Sequence, residues 1–124
     1  MNALMNIANV LFSPSYGERF PMTILEAAAT STPILLRDLE LYKGLFQDAY
    51  ISAQSNDEFA STIIRLSEDD SFYAEALKKS EWIADTYSEI AVYQKWLEFY
   101  RSIVAQPAAQ RRYLEFARPR AREH

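Results

Sequence analysis

VLFSPSYGERFPMTILEAAATSTPILLRD, residues 10–38, decides the fold. Val10-Leu11-Phe12 is a short apolar run that reads as a buried strand, and Ser13-Pro14-Ser15-Tyr16-Gly17-Glu18 has turn-forming composition. Pro21 suits the first turn of a helix, where a missing N–H costs nothing and a fixed φ helps. That helix runs to about Thr30, and a second apolar run, Pro33-Ile34-Leu35-Leu36, follows it. Strand, loop, helix, strand is the repeating unit of a parallel α/β sheet, whose crossover is right-handed.

Working outward, residues 1–8 are helix-forming and enter the first strand with only Asn9 between, as the end of a helix does when its own strand lies upstream. After the second strand, Leu39, Leu41, Tyr42, Leu45 and Phe46 space out a short amphipathic helix, and Ala49-Tyr50-Ile51 reads as a third strand. The remainder is helical. Ser55 with Glu58 forms a capping box; Asp70 or Ser71 caps the next helix and Ser88 the last. Tyr93, Trp96, Leu97, Tyr100, Ile103 and Val104 recur at helical spacing up to Pro107, as a core stripe or a docking face, with a base-stacking platform well behind. Were Trp96 buried, its truncation to alanine would cost about 3–5 kcal/mol.

Composition narrows the chemistry. At 49% hydrophobic and 24% charged residues the 124-residue chain is globular, one small domain or part of a larger one. No apolar run approaches the roughly 20 residues that span a bilayer, and no basic residue precedes the first apolar stretch, so a signal peptide is not expected. With no cysteine, cysteine-ligated zinc and thiolate nucleophiles are excluded, and with one histidine, at the last position, a histidine triad is not expected; no metal and no cofactor is expected. Residues 1–105 carry a balance of −7 and residues 106–124 one of +3. The acidic body argues against nucleic acid as a partner. The five arginines of the 106–124 tail make an anionic membrane surface a candidate partner, with a flexible, solvated terminus the simpler reading.

Glu18 lies in the loop at the carboxyl end of a strand, the side on which open α/β sheets bind ligands. The helix after it offers backbone N–H groups, those of Met22 and Thr23, to an anion such as phosphate. Glu26, about one and a half turns into the helix, has the acceptors that vicinal hydroxyls need. Solvated surface glutamates are the commoner case on residue type alone. A glycosidase pair of Glu18 and Glu26 has no spacing to support it, and Ser13 and Ser15 lack an elbow motif and a base. Arg37-Asp38 reads as an ion pair at a strand end rather than a functional loop.

The order PSYGERFPMTILEAA, four residues, PILLRD resembles the signature of group 1 retaining glycosyltransferases with the GT-B fold. The resemblance rests on Pro14-Ser15, Glu18, Leu25-Glu26-Ala27 and Thr32-Pro33. RDLELY (37–42) and the closing helices are similar to a bacterial subset that builds glycolipids and cell-envelope sugars. The resemblance covers residues 1–105 and implies the carboxyl-terminal part of the nucleotide-sugar-binding domain. That is half of a doubly wound Rossmann-like parallel sheet, about three strands, with a helical extension. It implies a hexosyltransferase of the cytoplasm or the inner membrane face, moving sugar from a nucleotide-sugar donor to a lipid or saccharide acceptor with retention. Glu18 would contact the transferred sugar as the catalytic residue, Phe20, Met22 and Thr23 would line the donor pocket, and Glu26 would hold the ribose. Arg19, Pro21 and Ser31 stand where the family uses glycine. The diphosphate-neutralising basic pair and the acceptor domain would come from a half absent here, so the chain alone is expected to be inactive and to self-associate. The competing reading is a non-catalytic α/β interaction domain or truncated relic.

Overall fold

The computed structural model describes residues 2–19 and 21–105. Phe20 and the tail assigned above to 106–124 lie outside the described residues. The chain divides into two compact units between Ser88 and Glu89.

In the first unit, α1 (Asn2–Ile7) precedes β1 (Leu11–Ser13), α2 (Met22–Ala29), β2 (Ile34–Arg37), α3 (Glu40–Phe46), β3 (Ile51–Ala53), α4 (Asn56–Glu68) and α5 (Asp70–Thr86). The three strands form one parallel sheet in the order β1-β2-β3, with Phe12 opposite Leu35 and Leu36 opposite Ser52. This is the expected half-sheet of a Rossmann-like α/β domain. β1 and β2 each begin one residue later than the apolar runs suggest and β3 begins two residues later. The cause at β3 is the exit from α3, where Gln47 takes φ 53° and Ala49 and Tyr50 are spent closing the turn.

β2 is buried at all four positions, as the central strand of a covered parallel sheet should be. Its alternation sends Ile34 and Leu36 to one face, where they pack with Ile24, Ala27 and Ala28 of α2, Tyr42 and Phe46 of α3, and Ile83 of α5. Leu35 joins Ile51, Ala53, Phe59, Leu66 and Ala76 on the other. α2 ends in a Schellman motif: Thr32 N–H bonds to Ala27 O and Ser31 N–H to Ala28 O, each at 3.0 Å. Ser31 therefore occupies the left-handed position, φ 55°, that glycine usually fills. Ser55 caps α4 by accepting from Glu58 N–H, while Glu58 reaches back to Gln54 N–H. α5 is capped by Asp69, one residue before the sites suggested by sequence, through a 2.9 Å bond from Phe72 N–H. That bond is the main reason its carboxyl pKa lies below the usual value.

α5 has a second task. Its Tyr73 hydroxyl donates to Asn9 O, Ser80 Oγ to Thr32 O and Lys79 Nζ to Tyr50 O, at 3.2, 2.7 and 3.4 Å. These carbonyls lie just ahead of β1, β2 and β3. One helix thus closes the amino ends of all three strands, and the carboxyl ends are left for the loops.

The second unit holds α6 (Glu89–Ala105), which has no buried residue among those described. Trp96 is 53% exposed and stacks on Tyr100 along the helix. The aromatic stripe is therefore a bare face rather than core.

Candidate active site at the carboxyl ends of the strands

Residues 14–19 leave β1 at its carboxyl end, and Pro21 opens α2. Glu18 is exposed in this loop. Ser15 Oγ donates to Gly17 O at 2.8 Å, a local turn that leaves Gly17 with open space around its Cβ position. Pro21 is buried at the N-cap, its carbonyl accepting from Ile24 N–H at 3.0 Å. Helix α2 thus starts at Met22, one residue beyond the sequence expectation. Met22 and Thr23 are exposed in the first turn, where helical N–H groups precede their carbonyl partners. Glu26 is one turn further on, about 6 Å along the axis. It is half-buried, and its Oε2 is shielded from solvent without a hydrogen-bond partner. The fold therefore sets Glu18, Met22 and Thr23 along the open end of β1 and α2 and Glu26 beside them.

Tyr42 adds a second unmet polar group. It is fully buried in the same core cluster as Ile24 and Ala27 of α2, stacked on Phe46 and edge-on to Tyr50, and its hydroxyl meets no partner in full hydrogen-bond geometry. Burial pushes its pKa up, the charge of Glu18 adds to that, and a weak interaction with Ser13 draws it back. Tyr50 is pushed up to about 12, by burial first and then by Asp38, Asp48, Glu40 and Tyr42.

Arg37 and Asp38 do not pair with each other. Asp38 binds Lys43 at 3.2 Å and accepts from Gln54 Nε2. Arg37, only 7% exposed, donates Nε to Pro14 O at 2.8 Å and Nη1 to Gln54 O, and its guanidinium lies 3.8 Å from the ring centre of Tyr16. The sequence reading put Tyr42 on an amphipathic helix and Arg37 in an ion pair, and gave neither a place at the site. A signal for Arg37 was available, since strand alternation places it on the same buried face as Leu35.

A hollow of about 490 Å³ lined by Asn9, Val10, Ile63, Leu66, Ser67, Asp70 and Tyr73 sits at the amino end of β1, opposite Glu18. Among the described residues no group of three or more acidic or histidine side chains is placed to hold a metal ion.

Residues 1–81 match the family described as glycosyl transferases group 1. The chain belongs to that family. This group 1 glycosyltransferase chain is also 37% identical over 105 residues to the alpha-galactosylglucosyldiacylglycerol synthase of Streptococcus pneumoniae. The match takes in 85% of the chain but 28% of that relative. The family match contains the whole of β1, α2 and β2, and with them every site residue named above.

Proposed function

We propose that the chain is the carboxyl-terminal part of the donor-binding domain of a retaining GT-B glycosyltransferase. It takes a nucleotide sugar and transfers the hexosyl group to a lipid or saccharide acceptor, at the inner face of a membrane. The name of the pneumococcal relative, a diacylglycerol-based synthase, favours the lipid acceptor. No helix among the described residues is long and apolar enough to cross a membrane, which is compatible with peripheral attachment.

The observation that carries this reading is the unpartnered Glu26 oxygen beside the open first turn of α2. A carboxylate oxygen removed from water without a donor is costly, and a ribose diol supplies the missing donors. The amides of Met22 and Thr23, with Phe20 beside them in sequence, would face the phosphates. Glu18, on the same loop, would meet the hydroxyls of the transferred sugar. Its negative charge there stabilises positive charge developing at the reacting carbon. No covalent role is assigned to it.

Transfer assays on the full-length protein with a panel of nucleotide sugars test this reading. Glu26→Gln removes a charge-assisted bond worth about 1.5–3 kcal/mol and should raise the donor KM. Glu18→Gln should lower kcat by about 10²-fold or more. The 124-residue chain alone should neither turn over nor bind donor tightly. Wild-type kinetics in both variants would refute the site; turnover by the chain alone would refute the half-site reading.

A further inference from the structure

We propose that Arg37 is the positioning residue of the loop that carries Glu18, and that transfer depends on its two-donor fork rather than on its charge. The proposal rests on the site reading above.

Arg37 ends β2, the central strand, with 93% of its surface covered. Among the described residues no carboxylate pairs with it. A buried guanidinium without a counter-charge is expensive, and Leu35, on the same face of the strand, shows that an apolar residue suffices for packing there. What the guanidinium does instead is specific. Nε reaches Pro14 O, beyond the end of β1, and Nη1 reaches Gln54 O, beyond the end of β3. Its flat face lies against Tyr16, which is 82% exposed, with Phe59 of α4 at 5.3 Å. One side chain thus ties the carboxyl ends of both outer strands to the middle one.

Among the described residues the bond to Pro14 O is the one hydrogen bond from residues 14–19 to the rest of the fold. Their other hydrogen bonds among the described residues run within the loop, between Ser15 and Gly17. The bond to Pro14 O and the stack on Tyr16 hold the segment two residues ahead of Glu18. A lysine keeps the charge but has neither the planar fork nor the flat face. The site needs that segment fixed, since a carboxylate displaced by about 1 Å can lose 10²-fold in rate.

The test compares wild type, Arg37→Met, Arg37→Lys and Asp69→Ala, the last removing the α5 cap at a distance from the loop as a stability control. Tryptic cleavage after the exposed Arg19, followed by mass spectrometry, reads the loop directly. Transfer kinetics on the full-length protein read its consequence. In both Arg37 variants we expect cleavage after Arg19 to speed up at least about tenfold, kcat to fall by about 10²-fold and donor KM to stay within about threefold. Asp69→Ala should leave that cleavage and kcat as in wild type. Wild-type kcat in Arg37→Met, full recovery in Arg37→Lys, or an equal kcat loss in Asp69→Ala would each overturn the proposal. Absence of transfer in the wild type would count against the proposed function instead, and cleavage after Arg19 would still decide whether Arg37 holds the segment.

Discussion

The two ends of the same three strands are closed in different ways. At the amino end, α5 sends three side chains, Tyr73, Lys79 and Ser80, to the carbonyls ahead of β1, β3 and β2. It also buries Ala76 and Ile83 against the sheet's two faces. At the carboxyl end a single guanidinium spans two carbonyls and an exposed ring. The first arrangement is redundant and apolar underneath; the second is sparse and leaves Glu18 in solvent. The difference teaches where the domain keeps its stability, and it leaves the other end to the site proposed around Glu18. Ligands of open parallel sheets sit outside the carboxyl ends, and the firm closure is at the other end.

The largest expected effect tests the amino end. Ile83→Ala should destabilise by about 2–5 kcal/mol, because the side chain is fully buried and its cavity cannot collapse freely. In contrast, Trp96→Ala on the bare face of α6 should change stability by less than about 0.5 kcal/mol. Urea denaturation of both variants checks the pair, and equal losses would erase the distinction. Ser80→Ala comes next. It strips the donor from Thr32 O inside the core and should cost about 1–3 kcal/mol by the same assay.

Tyr50, whose carbonyl receives Lys79, gives a pH signature. Its pKa is raised to about 12 in the folded state, against about 10 in an unfolded chain. The unfolded chain therefore loses its proton first, and stability present below pH about 10 should fall as pH rises towards 12. Urea midpoints across that range should decline in wild type and decline less in Tyr50→Phe. The smallest effect concerns the Schellman turn that leads to Thr32. Ser31→Gly relieves a left-handed serine and should stabilise by about 0.5–1 kcal/mol in thermal melts.

Much of this was legible in the sequence. Period and punctuation placed the three strands and α2 within one or two residues, and Ser31 was visible as a serine at a glycine position. The motif residues Glu18 and Glu26 fell where the loop and helix put them. What escaped was tertiary. The staples from α5 use a tyrosine, a lysine and a serine whose partners are backbone carbonyls 29 to 64 residues away, and carbonyls leave no trace in residue identity. Arg37 and Asp38 looked like a pair because they are adjacent and opposite in charge. Neighbours on a strand point to opposite faces, so adjacency there argues against pairing. The stripe on α6 illustrates a different limit, since an amphipathic pattern announces a face without naming what covers it.

Arg37 is held by carbonyl dipoles and aromatic faces rather than by a carboxylate. Salt weakens attraction between exposed charges far more than it weakens such short, part-buried bonds to carbonyls. The seating of the Glu18 loop should accordingly be the same in dilute buffer as in concentrated salt. Under the proposed function, a dependence of transfer on ionic strength would then report on the donor and the groups that grip it, free of a loop that wanders with the medium.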